Sequence, residues 1–163
     1  MIAVDSSTLI LLAKTTILDL FIGNFAGKIF ISEGVEEESL AKESFDAKLI
    51  EKRIKEKKIT VKKTKNRKAV VQIMKDFNLE LGEAETIGLC LENKWVLVGT
   101  DDKNAIKACI IMEIIYATAL DILVTLNKKN ILAKDDAIEK IGKLSKFGWY
   151  KGDIILDAKN SVR

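Results

Sequence analysis

The chain contains no histidine and no proline, has only two cysteines, and carries no apolar run approaching a membrane span. The missing histidine excludes most. It removes the usual general base near neutral pH, the commonest nitrogen ligand for metals, and every Ser-His or Cys-His arrangement. Any catalysis must run on carboxylates, hydroxyls, lysines or a bound ion. Cys90 and Cys109 lie in apolar helical contexts without metal-type spacing, which argues against zinc and against a disulfide framework and fits a reducing compartment. There is no basic leader with a cleavage site, so a cytoplasmic protein with no membrane partner is expected. No Pro/Gly/Ser-rich linker divides the 163 residues, which predicts a single domain over 1–163. Also absent are a Walker lysine loop and a G-x-G-x-x-G after a strand, so P-loop and classical dinucleotide readings fail.

What is present begins with charge. The 27 Lys and Arg are nearly balanced by 24 Asp and Glu, for a formal net charge of +3, and global charge alone does not announce a nucleic-acid binder. Short apolar runs at Met1–Val4, Lys28–Ile31, Ile59–Val61, Trp95–Val98 and Glu113–Ala117 read as strands, with helical patterns between them. A helix is expected from Leu9 to Ala13, extending toward Phe21, with Ser6, Ser7 and Thr8 as its N-cap residues. Near the end of the chain, Gly148-Trp149-Tyr150 reads as strand-like, and a last short helix starts at Asp153. This alternation, with crossovers long enough for parallel pairing, predicts a three-layer α/β/α sandwich around a central parallel sheet.

Acids recur where strands give way to helices. Asp5 follows the first strand, Asp101 and Asp102 follow Gly99-Thr100, and Glu83 and Glu85 stand in the first turn of the LGEAETIGLCLEN helix. The carboxyl ends of parallel strands border the usual ligand crevice. The competing reading is that these acids merely cap helices, and for Glu85 a helix-start role is preferred. If Asp5, Glu83 and Asp101 converge, they cannot all stay ionised without a cation. A hard, oxygen-seeking Mg²⁺ or Mn²⁺ suits such a set, and metal-assisted phosphodiester hydrolysis is the reaction class it suggests. Asp121 is either an exposed helix acid or a site-lining residue. Lys52 to Lys68, including Lys62, Lys63, Lys65, Arg67 and Lys68, is the most basic segment. It reads as an edge strand guarded by lysines or as a track for a phosphate backbone. A phospho-aspartyl enzyme would want a second Asp where Ser7 stands, and a receiver domain would want an acidic pair near Asp5.

Asp5-Ser6-Ser7-Thr8-Leu9-Ile10, Val35 to Glu38, Leu81-Gly82-Glu83-Ala84-Glu85 and Thr100-Asp101-Asp102 together resemble a PIN domain, in the VapC-like branch with a GEAE-type helix start. LDILVTLNKKNIL is similar to that branch's helix before a basic turn. The resemblance covers almost the whole chain, and the order and spacing of its short motifs carry it. It implies a five-stranded parallel sheet in the order 3-2-1-4-5 and Mg²⁺- or Mn²⁺-dependent ribonuclease activity. It also implies frequent homodimerisation and, for VapC members, a cognate antitoxin partner. By position, Asp5, Glu83 and Asp101 match the family's first, central and third acids. Asp102 satisfies the same Thr-x-Asp form, so the adjacent pair stays open. Glu38 matches an acid of the second helix, and Ser6 and Thr100 match site-lining hydroxyls. Asp121 stands where the branch more often has glycine, and Glu83 stands where most VapC proteins have aspartate. The alternative to a ribonuclease is a catalytically inactive PIN-like module that binds RNA or a protein partner.

Overall fold

The computed structural model describes the whole chain, Met1–Arg163. Five three-residue strands, β1 (Ile2–Val4), β2 (Ile29–Ile31), β3 (Ile59–Val61), β4 (Leu97–Gly99) and β5 (Ile115–Ala117), form one sheet in the order β3-β2-β1-β4-β5. All four pairings are parallel, from Ile2 opposite Ile29 to Gly99 opposite Ala117. The expected architecture and strand order are therefore those observed. Burial follows position: every residue of β1 and β2 is buried, whereas Ile115 on the β5 edge is exposed, as strands covered on two faces and strands at an edge require.

Because successive strand side chains point to opposite faces, β1 feeds two separate cores. Ile2 and Val4 join a larger cluster with α1 (Ser6–Lys14), α2 (Leu18–Asn24), α4 (Phe45–Lys55), α8 (Ala119–Lys128) and α9 (Lys134–Phe147). Ala3 faces the other way, into a smaller cluster with α5 (Arg67–Phe77), α6 (Leu81–Asn93) and α7 (Lys103–Ile111). α3 (Glu33–Leu40) packs between α1 and α6, and α10 (Gly152–Ser161) packs on α9. No single helix is long and apolar enough to cross a membrane.

Several local expectations differ from what the chain does, and β5 starts at Ile115 instead of Glu113. The first helix stops at Lys14. Thr15 Oγ1 donates back to the Leu11 carbonyl at 2.7 Å, Thr16 takes a left-handed φ of 60°, and α2 leaves at 109° to α1. Two consecutive β-branched threonines, one bonding backwards, favour such a break. β4 begins two residues later than the Trp95–Val98 run, because Trp95 leaves the sheet register and stacks on Phe30, with ring centroids 4.4 Å apart. Gly148-Trp149-Tyr150 pairs with no strand: Gly148 is the extended C-cap of α9, and the sheet contains β1 to β5 alone.

In a parallel sheet every carboxyl end lies on one side. Asp5, Ser32, Lys62, Thr100 and Thr118 follow the five strands directly, so the candidate chemistry is gathered along a single rim.

Candidate active site

Asp5 is the N-cap of α1, a place the sequence reading gave to Ser6, Ser7 or Thr8. Its backbone is extended (φ −81°, ψ 170°) and its side chain accepts from the Thr8 N–H at 2.9 Å. A short carboxylate in that conformation fills the cap directly and leaves Ser6 to Thr8 inside the first turn. Ser7 Oγ donates to the same Oδ1 at 2.9 Å, and the buried hydroxyl of Thr100 donates to Oδ2. Asp5 is only 1% exposed. Burial pushes its carboxyl up to about 6, against the pull of these three hydrogen bonds, and the Asp101 charge adds to the rise.

Glu83 occupies the third position of α6, in a reciprocal capping box with Glu80. Its Oε2 accepts from the Glu80 N–H at 2.9 Å, while Oε1 accepts no hydrogen bond. Burial first, then the Asp102 and Asp5 charges, raise its carboxyl to about 7 against the pull of the Glu80 N–H. Asp102 caps α7 through Oδ1, which accepts from the Ala105 N–H at 2.8 Å. Asp101 is held differently. Its Oδ2 accepts from Thr8 Oγ1 at 2.6 Å and from the Ala119 N–H at 2.9 Å, and its Oδ1 accepts from the Tyr150 hydroxyl. Burial raises its carboxyl, these donors lower it, and nearby Asp121 raises it again. Burial, followed by the Asp101 charge, keeps the Tyr150 phenol protonated as a donor. Thus Asp102 is the member of the adjacent pair whose charge is felt at Glu83, and Asp101 sits in a cage of donors.

Glu38 reaches the rim from α3. It accepts from Ser6 Oγ at 2.6 Å and from the Gly82 N–H at 3.3 Å. A Cβ on Gly82 would lie 2.7 Å from both carboxylate oxygens, so Glu38 occupies room that only glycine leaves. Asp121 caps its own helix, accepting from the Thr118 N–H at 2.9 Å and from its hydroxyl at 2.7 Å. Glu85 corrects the helix-start reading: it is 5% exposed, accepts from the Gly34 N–H at 2.9 Å, and pairs with Arg67 at 3.1 Å. It ties α3 and α5 to α6 instead of facing water.

The basic segment leaves the same rim at β3. Lys63 lies 3.6 Å from Glu33, Arg67 is committed to Glu85, and the Lys65 N–H is anchored on Glu92 at 2.9 Å. The ammonium groups of Lys62, Lys65 and Lys68 make no ion pair. Sequence reasoning missed Thr8 and Tyr150. Thr8 was legible as the residue one turn after Asp5. Tyr150 lies 49 residues from Asp101, and no local pattern announces that contact.

As placed, no three acidic side chains are close enough to ligate one ion. The chemistry of the set nonetheless fits a hard cation. The donors are oxygens only, Asp5 and Glu83 resist ionisation because burial and neighbouring acids oppose it, Asp101 at Asp5 and Asp102 with Asp5 at Glu83, and Glu83 Oε1 and Asp102 Oδ2 accept no hydrogen bond.

A family model described as a PIN domain matches residues 1–158. No curated protein and no solved structure matches the chain.

Proposed function

From the premise that this chain belongs to the PIN domain family, a nuclease fold that typically uses divalent metals, we propose that it is a Mg²⁺- or Mn²⁺-dependent ribonuclease hydrolysing phosphodiester bonds of RNA. Asp5, Glu83 and the Asp101–Asp102 pair are the residues that would hold the cation. When bound, the cation supplies charge neutralisation for these carboxylates, a lowered pKa for attacking water and stabilisation of charge developing on the phosphate. The chain's own contribution is orientation. Three hydrogen bonds lock the Asp5 carboxylate in one position. Ser6 does the same for Glu38, and Thr8, Tyr150 and the Ala119 N–H do so for Asp101. Pre-set side chains lose little on reaching the reactive geometry. Lys62, Lys63, Lys65 and Lys68, with Arg67 beside Glu85, would draw the RNA backbone to the rim.

The observation that carries this reading is the crowding of acids at Asp5 and Glu83, where the Asp101 charge bears on Asp5 and the Asp102 and Asp5 charges bear on Glu83. Two carboxyls at the carboxyl ends of the sheet are raised to about 6 and about 7, each by burial and by another acid. Perturbed acids in that position mark functional sites. Asp5→Asn keeps the shape and most of the cap. It should abolish Mn²⁺-dependent cleavage of a structured RNA and leave the circular dichroism spectrum intact. Undiminished cleavage would sink the assignment.

A second reading, a binding module without turnover, is favoured by the spacing of the acids, which bring no three side chains to one point. A Mn²⁺ titration read by melting temperature and by RNA cleavage separates the two. Stabilisation without cleavage supports the module, and stabilisation with cleavage supports the nuclease.

A further inference from the structure

Trp149 is 93% exposed, the most exposed large apolar side chain of the molecule. Its place follows from its neighbours. Gly148 and Lys151 are both in extended backbone (φ −109°, ψ 166°; φ −69°, ψ 150°). Tyr150 points inward, where its hydroxyl donates to Asp101, while Trp149 beside it is turned to solvent. A Cβ on Gly148 would lie 2.6 Å from the Tyr150 ring, so the glycine is what lets that ring fold back. The indole contributes nothing to either core and makes no hydrogen bond.

Trp149 borders two adjoining grooves of about 480 and 470 Å³, which share Lys103, Trp149, Tyr150 and Lys151. Tyr116 and Asp101 line the first, and Lys146 lines the second. Lys103, Lys146 and Lys151 are exposed and form no ion pair. Aromatic faces interleaved with unpaired cations form the chemistry that grips a single-stranded nucleic acid: each base offers a π-face and each linkage a negative charge. Here three lysines stand among three exposed aromatic rings, Tyr116, Phe147 and Trp149, and the groove opens onto Asp101, an acid of the candidate site.

We propose that this groove is a single-strand subsite in which one RNA base stacks on Trp149 while Lys103, Lys146 and Lys151 hold the adjoining phosphates, feeding the strand to the acids. The subsite rests on the nuclease reading for its role, though not for its binding chemistry. Sheet order gives it a direction: the Lys62–Lys68 segment leaves at the β3 edge, the acids follow the central strands β1 and β4, and the aromatic groove lies beyond β5. A strand crossing the rim meets cations, then acids, then the stacking face.

The test is binding of a short fluorescein-labelled single-stranded RNA to the full chain in EDTA, where cleavage is stopped, together with intrinsic tryptophan fluorescence. The account expects quenching on titration, weakening of about 5- to 100-fold in Trp149→Ala, and near-parental binding in Trp149→Phe. It also expects a marked preference for the single strand over a duplex of the same sequence. Trp149→Ala with unchanged affinity, or a duplex bound equally well by parent and variant, overturns the subsite. So does a Trp149→Ala variant that loses self-association by light scattering while binding RNA unchanged, because the face would then be a protein contact. The two proposals fail separately. Weakened binding with no Mn²⁺-dependent cleavage by the parent defeats the nuclease reading alone, and cleavage indifferent to Trp149 with unchanged binding defeats the subsite alone.

Discussion

Asp5 is a carboxyl that folding removes from water with hydrogen bonds but without a counter-charge, and its pH behaviour follows. Its ordinary value of 3.8 rises to about 6, and that of Glu83 rises from 4.5 to about 7. A folded-state value above the unfolded one means that the native protein binds protons more tightly. Stability is therefore fullest below the unfolded pKa and is lost as pH rises to the folded one. For metal-free protein this window runs from pH 4 to 7. Asp5 alone contributes a loss on the order of 3 kcal/mol, with a smaller share from partly buried Glu83 after solvent screening. Denaturant midpoints in EDTA should fall across this window, and Mn²⁺ should flatten the profile. A flat profile in EDTA would show that the two acids ionise freely. At this scale the sequence was informative wherever a residue acts through its immediate neighbours. Asp5, Glu83 and Asp102 lie in turns or first turns, and local pattern placed them there. It could not supply Tyr150 or the buried bond of Glu85 to Gly34, since each depends on a contact between distant segments.

Two helices meet through glycines. A Cβ on Gly34 of α3 would lie 2.8 Å from Glu85 Oε2 and 3.4 Å from the Gly82 Cα of α6, and Gly82 makes room for Glu38 in return. This close approach delivers Glu38 to the rim and seats Glu85 between α3 and Arg67. Gly34→Ala would press the two helices apart against a buried carboxylate, an overpacking expected to remove about 1–3 kcal/mol of stability, readable as a lower urea midpoint. An unchanged midpoint would mean that the helices slide freely. Element existence was legible where a strand is a compact apolar run or a helix starts on a capping side chain, as at Ser32, Ser44, Asn66 and Thr118; α2, whose N-cap is Ile17 with no side-chain cap, read as a continuation of α1. Element boundaries were not, where tertiary contacts intervened: Trp95 left the β4 register to stack on Phe30, and Thr15 ended α1 by bonding to Leu11.

For the molecule as a whole, strand order converts a linear scatter of acids and lysines into one rim. β1 and β4 are neighbours, which brings Asp5 beside Thr100 across 95 residues of sequence, while β3 at the edge carries Lys62 to Lys68 away from the centre. The alternation of strands and helices made the layers legible. The order of the strands came only from the family resemblance, because periodicity does not say which strands pair. If the lysines track a phosphate backbone, replacing Lys62, Lys63, Lys65 and Lys68 by alanine should flatten the slope of log affinity against log salt by roughly 0.7 per lost contact, up to about 3. An unchanged slope would return these lysines to the role of edge protection.

The central claim is that acids from separate elements close on one divalent cation. Crystals soaked in Mn²⁺ and mapped by anomalous scattering test it most directly. The account predicts a peak bonded to carboxylate oxygens of Asp5 and Glu83 and of Asp101 or Asp102, with Asp102 favoured by its open oxygen. A peak touching neither Asp5 nor Glu83, or no peak at a Mn²⁺ concentration that supports cleavage, would contradict it.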